Sequence, residues 1–476
     1  MTYAENTPPR PRLVVIGGGI SGLAAAWRSI RTAPDTEVIV LEGSAQVGGK
    51  LRRAEIGGVT VDVGAESVLA RRPEAVDLIT EAGLGADLVH PVVTAASVLA
   101  RGELHRLPGG TVMGVPGSRA ALPGLAGLLT GPEVDRVAAE PTIAAPPLTE
   151  DVDVASWVSA RMGPAVVDRL VEPLLGGVYA GHADQLSLQA TIPALWQRAQ
   201  GGGPLLTDDA PAPVPAGPVF AGIRGGVGRL PTTLAAQLTE AGAEIRTGTT
   251  VRGLRRTPTG WRLETGPASD PAYLEADAVV LAVPPAAAAR LLAADVPAAA
   301  AELAGIDTAS VVVVAAALPA DQLAGLTGSG VLIPPVEGTA IKAATFSSAK
   351  WDWVSGPGQP RIVRLSLGRA GEESTLQRDD DDLTALALAD LAGVLGRSLR
   401  PIDTTVIRWG GGLPQYGVGH LARIARLRTA VAAAGGLAIC GAALDGVGVA
   451  ACVAAADRAI ADLGAPARAR GERISS

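Results

Sequence analysis

The stretch that most constrains this chain is Arg12-Leu13-Val14-Val15-Ile16-Gly17-Gly18-Gly19-Ile20-Ser21-Gly22-Leu23-Ala24-Ala25-Ala26. A β-branched run leads into Gly17-x-Gly19-x-x-Gly22, and an Ala-rich helical pattern follows. In such a strand–turn–helix unit each glycine has its own job. Gly17 allows the tight turn, Gly19 lets the backbone approach a pyrophosphate, and Gly22 lets the helix pack close on the strand. The exposed N–H groups at the helix start then face phosphate oxygens, and the helix dipole favours the same charge. A second run, Glu37-Val38-Ile39-Val40-Leu41, ends in Glu42, about twenty residues past the last glycine, where a carboxylate can take both hydroxyls of an adenosine ribose. An acid there argues against a 2′-phosphate and so against NADP. A ligand-free βα turn would account for the glycines but not for the strand, helix and acid together.

The chain has 476 residues, enough at roughly 150 per domain for two or three domains sharing a large core. It is 48% hydrophobic but only 3% aromatic, so Ala, Val and Leu must build that core. A formal net charge of −7 disfavours nucleic acid as a partner. The two cysteines, Cys440 and Cys452, cannot staple so long a chain, and a reducing compartment is the simple reading. Met1 to Pro11 is polar and proline-rich without an apolar signal region, so a cytoplasmic location is expected. Thr429 to Leu444 carries no charge, yet it is shorter than the roughly 20 residues of a span and is broken by Gly435-Gly436. It reads as a helix end followed by a buried strand, with peripheral membrane contact left open.

Further patterns follow in order. Arg71-Arg72-Pro73 opens a helix over Glu74 to Ala82. Ala96 to Leu107 alternates about a Gly turn, a hairpin that begins a second sheet. Pro108 to Leu206 is helical with Pro and Gly breaks, with a capped start at Asp153. Gln200 to Pro218 is too rich in Gly, Pro and Ala for an ordinary connection and is expected to be mobile. Glu244–Thr247, Trp261–Glu264 and Asp277–Pro285 read as strands that return the chain to the first sheet. Ser310–Ala317, Lys342–Phe346 and Arg361–Leu367 read as strands of the second sheet. The acids Asp379 to Asp382 suit a helix N-terminus better than a metal site. Gly436 to Cys452 reads as strand, glycine loop, helix. His90, His105, His182 and His420 fall into no catalytic or metal-ligand spacing and read as structural; no metal is expected.

Gln46-Val47-Gly48-Gly49-Lys50-Leu51 and Val61-Asp62-Val63-Gly64-Ala65-Glu66-Ser67 resemble the flavin amine oxidase and protoporphyrinogen oxidase superfamily. The likeness runs in order over nearly the whole chain. It takes in EPLLGGVYAG, LSLQATIP, GGVGRLP, TFSSAKW, LSLGR, RWGGGLPQYGVGHL and GAALDGVGVAAC, and with these the chain resembles bacterial protoporphyrinogen/coproporphyrinogen oxidases. The resemblance implies an α/β fold: a Rossmann-like FAD-binding domain with an inserted α+β substrate domain and a helical subdomain. The expected layout is 10–90, 219–290 and 420–464 for FAD; 91–110 and 300–415 for the substrate sheet; and 111–218 helical, with the mobile loop at 200–218.

The cofactor implied is FAD, held non-covalently. Its contacts are expected from Gly17, Gly18, Gly19, Ile20, Ser21, Gly22, Glu42, Gly49, Lys50, Gly64, Ala65, Glu66, Ser67, Val251, Trp409, Gly441, Gly448 and Val449. The helix at Gly448-Val449 would turn N–H groups toward the flavin pyrimidine and favour the anionic reduced ring. The implied reaction is oxygen-dependent oxidation of coproporphyrinogen III to coproporphyrin III with release of hydrogen peroxide, without a dedicated catalytic acid or base. The alternatives are protoporphyrinogen IX, a flavin amine oxidase or desaturase, and a non-catalytic flavin or porphyrin carrier. Coproporphyrinogen is favoured because its four propionates suit a chain without a membrane-inserting stretch. Arg72 is the candidate propionate ligand, with Lys342 and Gly177 also expected at the substrate. A ferrochelatase is the partner expected to receive product.

Overall fold

The protein is described here by a computed structural model over residues 10–208 and 217–464. Residues 209–216 of the segment expected to be mobile, and the charged tail from 465 onward, lie outside the described residues. Five parallel strands form the first sheet, in the order Glu244–Arg246, Glu37–Leu41, Arg12–Ile16, Ala278–Leu281, Leu437–Ile439. Both faces are covered, which is why these strands read as unbroken apolar runs. Leu13, Val15, Val38 and Val40 pack against the helices Ile20–Thr32, Arg229–Glu240 and Val449–Leu463. Val14, Ile16, Ile39 and Leu41 pack on the other side with Pro285–Leu292, Pro297–Ala304 and His420–Ala434. Alanines replace bulky aromatics as packing units: Ala24, Ala25, Ala26, Ala455 and Ala456 are all buried where Ile20–Thr32 meets Val449–Leu463.

The second sheet has seven strands, in the order Asp403–Pro414, Thr308–Leu318, Arg361–Leu367, Ile341–Thr345, Gly330–Leu332, Ser97–Ala100, Glu103–Arg106. All pairs are antiparallel except Gly330–Leu332 with Ser97–Ala100. The helix Asp380–Leu395 begins inside the acidic run and covers one face of this sheet with Leu383, Ala387 and Leu391. Residues 111–208 are mostly helical, and the core around Trp157, Leu170, Leu175 and Trp196 also takes in Val98, Ala100 and Tyr416. Asp153 caps Val154–Met162 by accepting the Ser156 N–H. Inside this part Glu140 is fully buried, is paired with Arg161, and accepts the backbone N–H groups of Leu205 and Leu206. That pair anchors the first part of the 200–218 segment.

Candidate active site

The order in which strands are added to the first sheet reverses between Arg12–Ile16 and Ala278–Leu281, and in open α/β sheets ligands bind beyond the strand carboxyl ends at that point. The Gly17 turn stands there. A Cβ on Gly17 would lie 2.4 Å from the Ala282 carbonyl oxygen, and one on Gly22 would lie 1.9 Å from the Gly17 carbonyl oxygen. Those two glycines answer to the protein's own packing. Gly19 and Gly448 differ: a Cβ on either would meet nothing within 4 Å, and their φ values of −71° and −73° suit any residue. Both positions face open space at the N-termini of the helices Ile20–Thr32 and Val449–Leu463, where two sets of free N–H groups are presented to one cleft. Two grooves at the other end of the sheet, beside Leu13 and Asp457 and beside Thr36 and Ala243, are remote from this chemistry.

The Gly48-Gly49 turn is stapled to the first: Gly48 N–H donates to the Gly18 carbonyl at 2.8 Å, and a Cβ on Gly49 would lie 3.3 Å from Gly19 Cα. Lys50 therefore stands at the cleft. Its side chain is reached by solvent, yet desolvation by the surrounding protein pushes its pKa below the ordinary lysine value. Among the described residues it has no ion pair, which fits a diphosphate ligand. Glu42 Oε2 accepts the Gly18 N–H at 2.7 Å and Oε1 accepts the Ser44 N–H at 2.8 Å, so its carboxylate is held at the cleft with lone pairs to spare for a ribose. Val251 is buried just past Thr249, whose N–H donates to the Glu42 carbonyl. The residues fit FAD: glycine turns and helix N-termini for the diphosphate, Glu42 for the ribose. Glu42→Ala should weaken FAD binding by about 1.5–3 kcal/mol, the range for a hydrogen bond to a charged group. Flavin release measured by fluorescence checks this, and an unchanged dissociation constant would remove Glu42 from the site.

The 61–67 segment joins the two sheets. Asp62 is 2% exposed and accepts the N–H groups of Val227 and Gly228 at 2.8 and 2.9 Å; burial pushes its carboxyl up to about 6 against those two bonds. Gly64 touches the Lys50 carbonyl so closely that a Cβ would lie 1.8 Å from it, and Ala65 N–H donates to the same oxygen at 3.0 Å. Trp409 Nε1–H donates to the Val63 carbonyl at 3.3 Å. Glu66 is committed to protein partners: it pairs with Lys350, and Arg364 donates to it at 2.7 Å. Burial raises its pKa, but the Arg364 and Lys350 charges outweigh burial and hold it down at about 2. Ser67 is half-buried beside it.

A second opening lies over the seven-stranded sheet. Leu332, Ala343, Ser366 and Val313 are cross-strand partners in one row, on the face opposite Asp380–Leu395. Leu332, Ala343 and Ser366 are only partly buried although their strands are central, while the other face is fully covered. The helix Glu172–Tyr179 overhangs one end of this floor: Gly177 is exposed, and a Cβ on it would come 3.6 Å from Leu332 Cδ2. At the other end Arg364 also donates to the Gly64 carbonyl, so the Gly64–Ser67 turn borders the floor.

Of the remaining expected residues, Gly441 is partly buried in the loop before the Val449 helix, with φ of +133°. Arg72 precedes the helix Pro73–Glu81, is half exposed, and pairs with Glu74 at 2.6 Å. Lys342 is 4% exposed, its ammonium donating to the Gly368 carbonyl at 2.9 Å, and burial lowers its pKa to about 7. It lies beneath the floor rather than on it. Sequence reasoning missed Asp62, Lys350 and Arg364. The signal for Arg364 was present: a charge at an interior position of Arg361-Ile362-Val363-Arg364-Leu365-Ser366-Leu367.

Known proteins bear on this arrangement. The profile of the flavin containing amine oxidoreductase family matches residues 20–463. Coproporphyrinogen III oxidase of Mycobacterium leprae is 38% identical over 94% of this chain and 96% of its own length. The enzyme of that name from Bacillus subtilis is 32% identical over 95% and 98%. A crystal structure provisionally named protoporphyrinogen oxidase, from Exiguobacterium sp. 255-15, superposes with a TM-score of 0.84 at 33% identity, covering 95% of this chain and 98% of that one. Putrescine oxidase shares the fold at a TM-score of 0.68 and 18% identity, over 95% of this chain and 98% of its own. The chain belongs to the flavin-containing amine oxidoreductase family, alongside relatives named coproporphyrinogen III oxidase, and is an FAD-dependent oxidoreductase.

Proposed function

We propose that the protein oxidises coproporphyrinogen III to coproporphyrin III at the cost of dioxygen. The macrocycle loses six electrons and six hydrogens, and three dioxygen molecules become three hydrogen peroxides. Bound FAD supplies the two-electron acceptor that dioxygen reoxidises. The observation that carries the reading is the broad, partly open floor of Leu332, Ala343, Ser366 and Val313, bounded by Gly177 and by the Gly64–Ser67 turn. The large, largely apolar ring system of a porphyrinogen suits such a floor, and the chain's part is to orient it and exclude water. No residue of the floor is a base, so proton removal is left to solvent and the macrocycle's own nitrogens. The layout of 10–90, 219–290 and 420–464 as the flavin-binding part, 91–110 and 300–415 as the substrate sheet and 111–218 as the helical part belongs to this reading. It is supported by the strand order of the first sheet, which draws on all three flavin segments.

Arg72 is our candidate for a propionate, through two parallel hydrogen bonds from its guanidinium, with Gly177 as a further substrate-side residue. Product would leave toward a ferrochelatase or a membrane surface by the rim where Leu69, Val219 and Phe220 are exposed; among the described residues no helix is long and apolar enough to cross a membrane. Anaerobic mixing with each porphyrinogen tests the function. Faster bleaching of the flavin band by coproporphyrinogen than by protoporphyrinogen is expected; the reverse order would favour protoporphyrinogen IX, and no bleaching by either would overturn the reading. Arg72→Ala should raise KM for coproporphyrinogen by one to two decades, about 1.5–3 kcal/mol, with flavin content unchanged. Unaltered kinetics would clear Arg72 of the role.

A further inference from the structure

The loop from Gly441 to Gly448 carries the cofactor-facing N-terminus of the Val449–Leu463 helix, and what fixes its backbone lies outside the first sheet. Tyr416 is 1% exposed, and its hydroxyl donates to the Ala442 carbonyl. His420 is 2% exposed, and its Nε2 lies 3.0 Å from the Leu444 carbonyl. A carbonyl only accepts, so Nε2 carries the proton. Burial lowers the pKa of the ring, which favours its neutral form. The two rings stack face to face, centroids 4.0 Å apart and 11° from parallel. Tyr416 also meets the ring of Tyr179 at 5.5 Å, and Gln415 Nε2 donates to the Tyr179 carbonyl at 2.7 Å. Tyr179 ends the helix that presents Gly177 to the substrate floor.

We propose that Tyr416 and His420 are positioning residues for the flavin. They hold the carbonyls of Ala442 and Leu444, set the backbone that delivers the Val449 helix N-terminus, and tie it through Tyr179 to the substrate-side arm. A carbonyl bonded into this stack cannot turn its negative end toward the cofactor. The helix N–H groups are then the loop's nearest dipoles to a reduced, anionic ring. Loss of either donor frees a carbonyl, loosens those N–H groups and disfavours the reduced flavin, so the potential falls. This rests on FAD at the site and not on which porphyrinogen is used.

The test is reductive titration of the holoenzyme, which needs no porphyrinogen. Tyr416→Phe keeps the rings and removes the hydroxyl. It should lower the preference for reduced over oxidised flavin about tenfold, a midpoint potential about 30 mV more negative. His420→Leu should do the same, while His420→Gln, which retains an N–H for Leu444, should stay within about threefold of the parent. A Tyr416→Phe holoenzyme with the parent potential would overturn the proposal. Should that variant not retain flavin, the flavin dissociation constants of the two His420 variants decide. Recovery by Gln but not Leu supports a donor role; equal losses in both would mean that only ring packing matters, and the proposal fails.

Discussion

Gly22→Ala is expected to yield an unstable protein without flavin, whereas Gly19→Ala is expected to lose flavin alone. The two glycines are three residues apart in one motif, yet the structure makes different demands on them. A Cβ on Gly22 would stand 1.9 Å from the Gly17 carbonyl oxygen and 3.2 Å from Ala282 Cβ. Neither neighbour can yield cheaply, because Gly17 N–H is bonded to the Leu41 carbonyl and Ala282 N–H to the Ile16 carbonyl, both at 2.8 Å. The helix Ile20–Thr32 would have to back away from the sheet along its alanine face. Overpacking of this kind costs about 1–3 kcal/mol or more. At Gly19 a Cβ meets no protein atom within 4 Å and the backbone is ordinary, so the apoprotein should unfold at its usual denaturant concentration. The methyl group would instead fill space required by the pyrophosphate. Denaturant unfolding of both apoproteins, with flavin content of the purified proteins, checks the pair. Full flavin occupancy in Gly19→Ala would mean that the diphosphate does not cross this turn.

Arg364→Ala should be the most damaging change on the substrate side. Arg364 holds Glu66 and the Gly64 carbonyl at once, and so ties the second sheet to the turn beside the cofactor cleft. Removing it leaves Glu66, only 12% exposed, with Lys350 as its one remaining ion-pair partner among the described residues. Breaking a buried pair by deleting one partner typically costs about 3–5 kcal/mol. The pH dependence gives an independent measure. With its pKa depressed from 4.5 to about 2, Glu66 binds fewer protons folded than unfolded between those values. Its stabilising contribution, about 3 kcal/mol, is complete above the unfolded pKa and is lost as pH falls toward 2. In Arg364→Ala the carboxyl should titrate higher, so the acid limb of unfolding moves up in pH as overall stability drops. An unmoved acid limb would show that Arg364 does not set the charge state of Glu66.

Much of the fold was legible because its determinants are local. Gly17-x-Gly19-x-x-Gly22 and Glu42 report on one turn and one strand end, and both act within about thirty residues of chain. The apolar runs at Arg12–Ile16, Glu37–Leu41 and Ala278–Leu281 needed only burial on both faces to be read as parallel strands. The acidic run at Asp379–Asp382 was readable as a helix start for the same local reason. Tertiary structure decided what depends on distant partners. Glu66 stood in the sequence as a cofactor contact, but Arg364 and Lys350, nearly 300 residues away, claim its carboxylate. Lys342 carries an alternating pattern that suits a substrate-facing strand, and a bulge at its position turns it into the interior. His420 read as structural, and only its stacking on Tyr416 and its bond to Leu444 show which loop it holds. Periodicity and turn chemistry are written into neighbouring residues, whereas the pairing of a buried charge or donor is chosen by whichever residues the folded chain brings beside it.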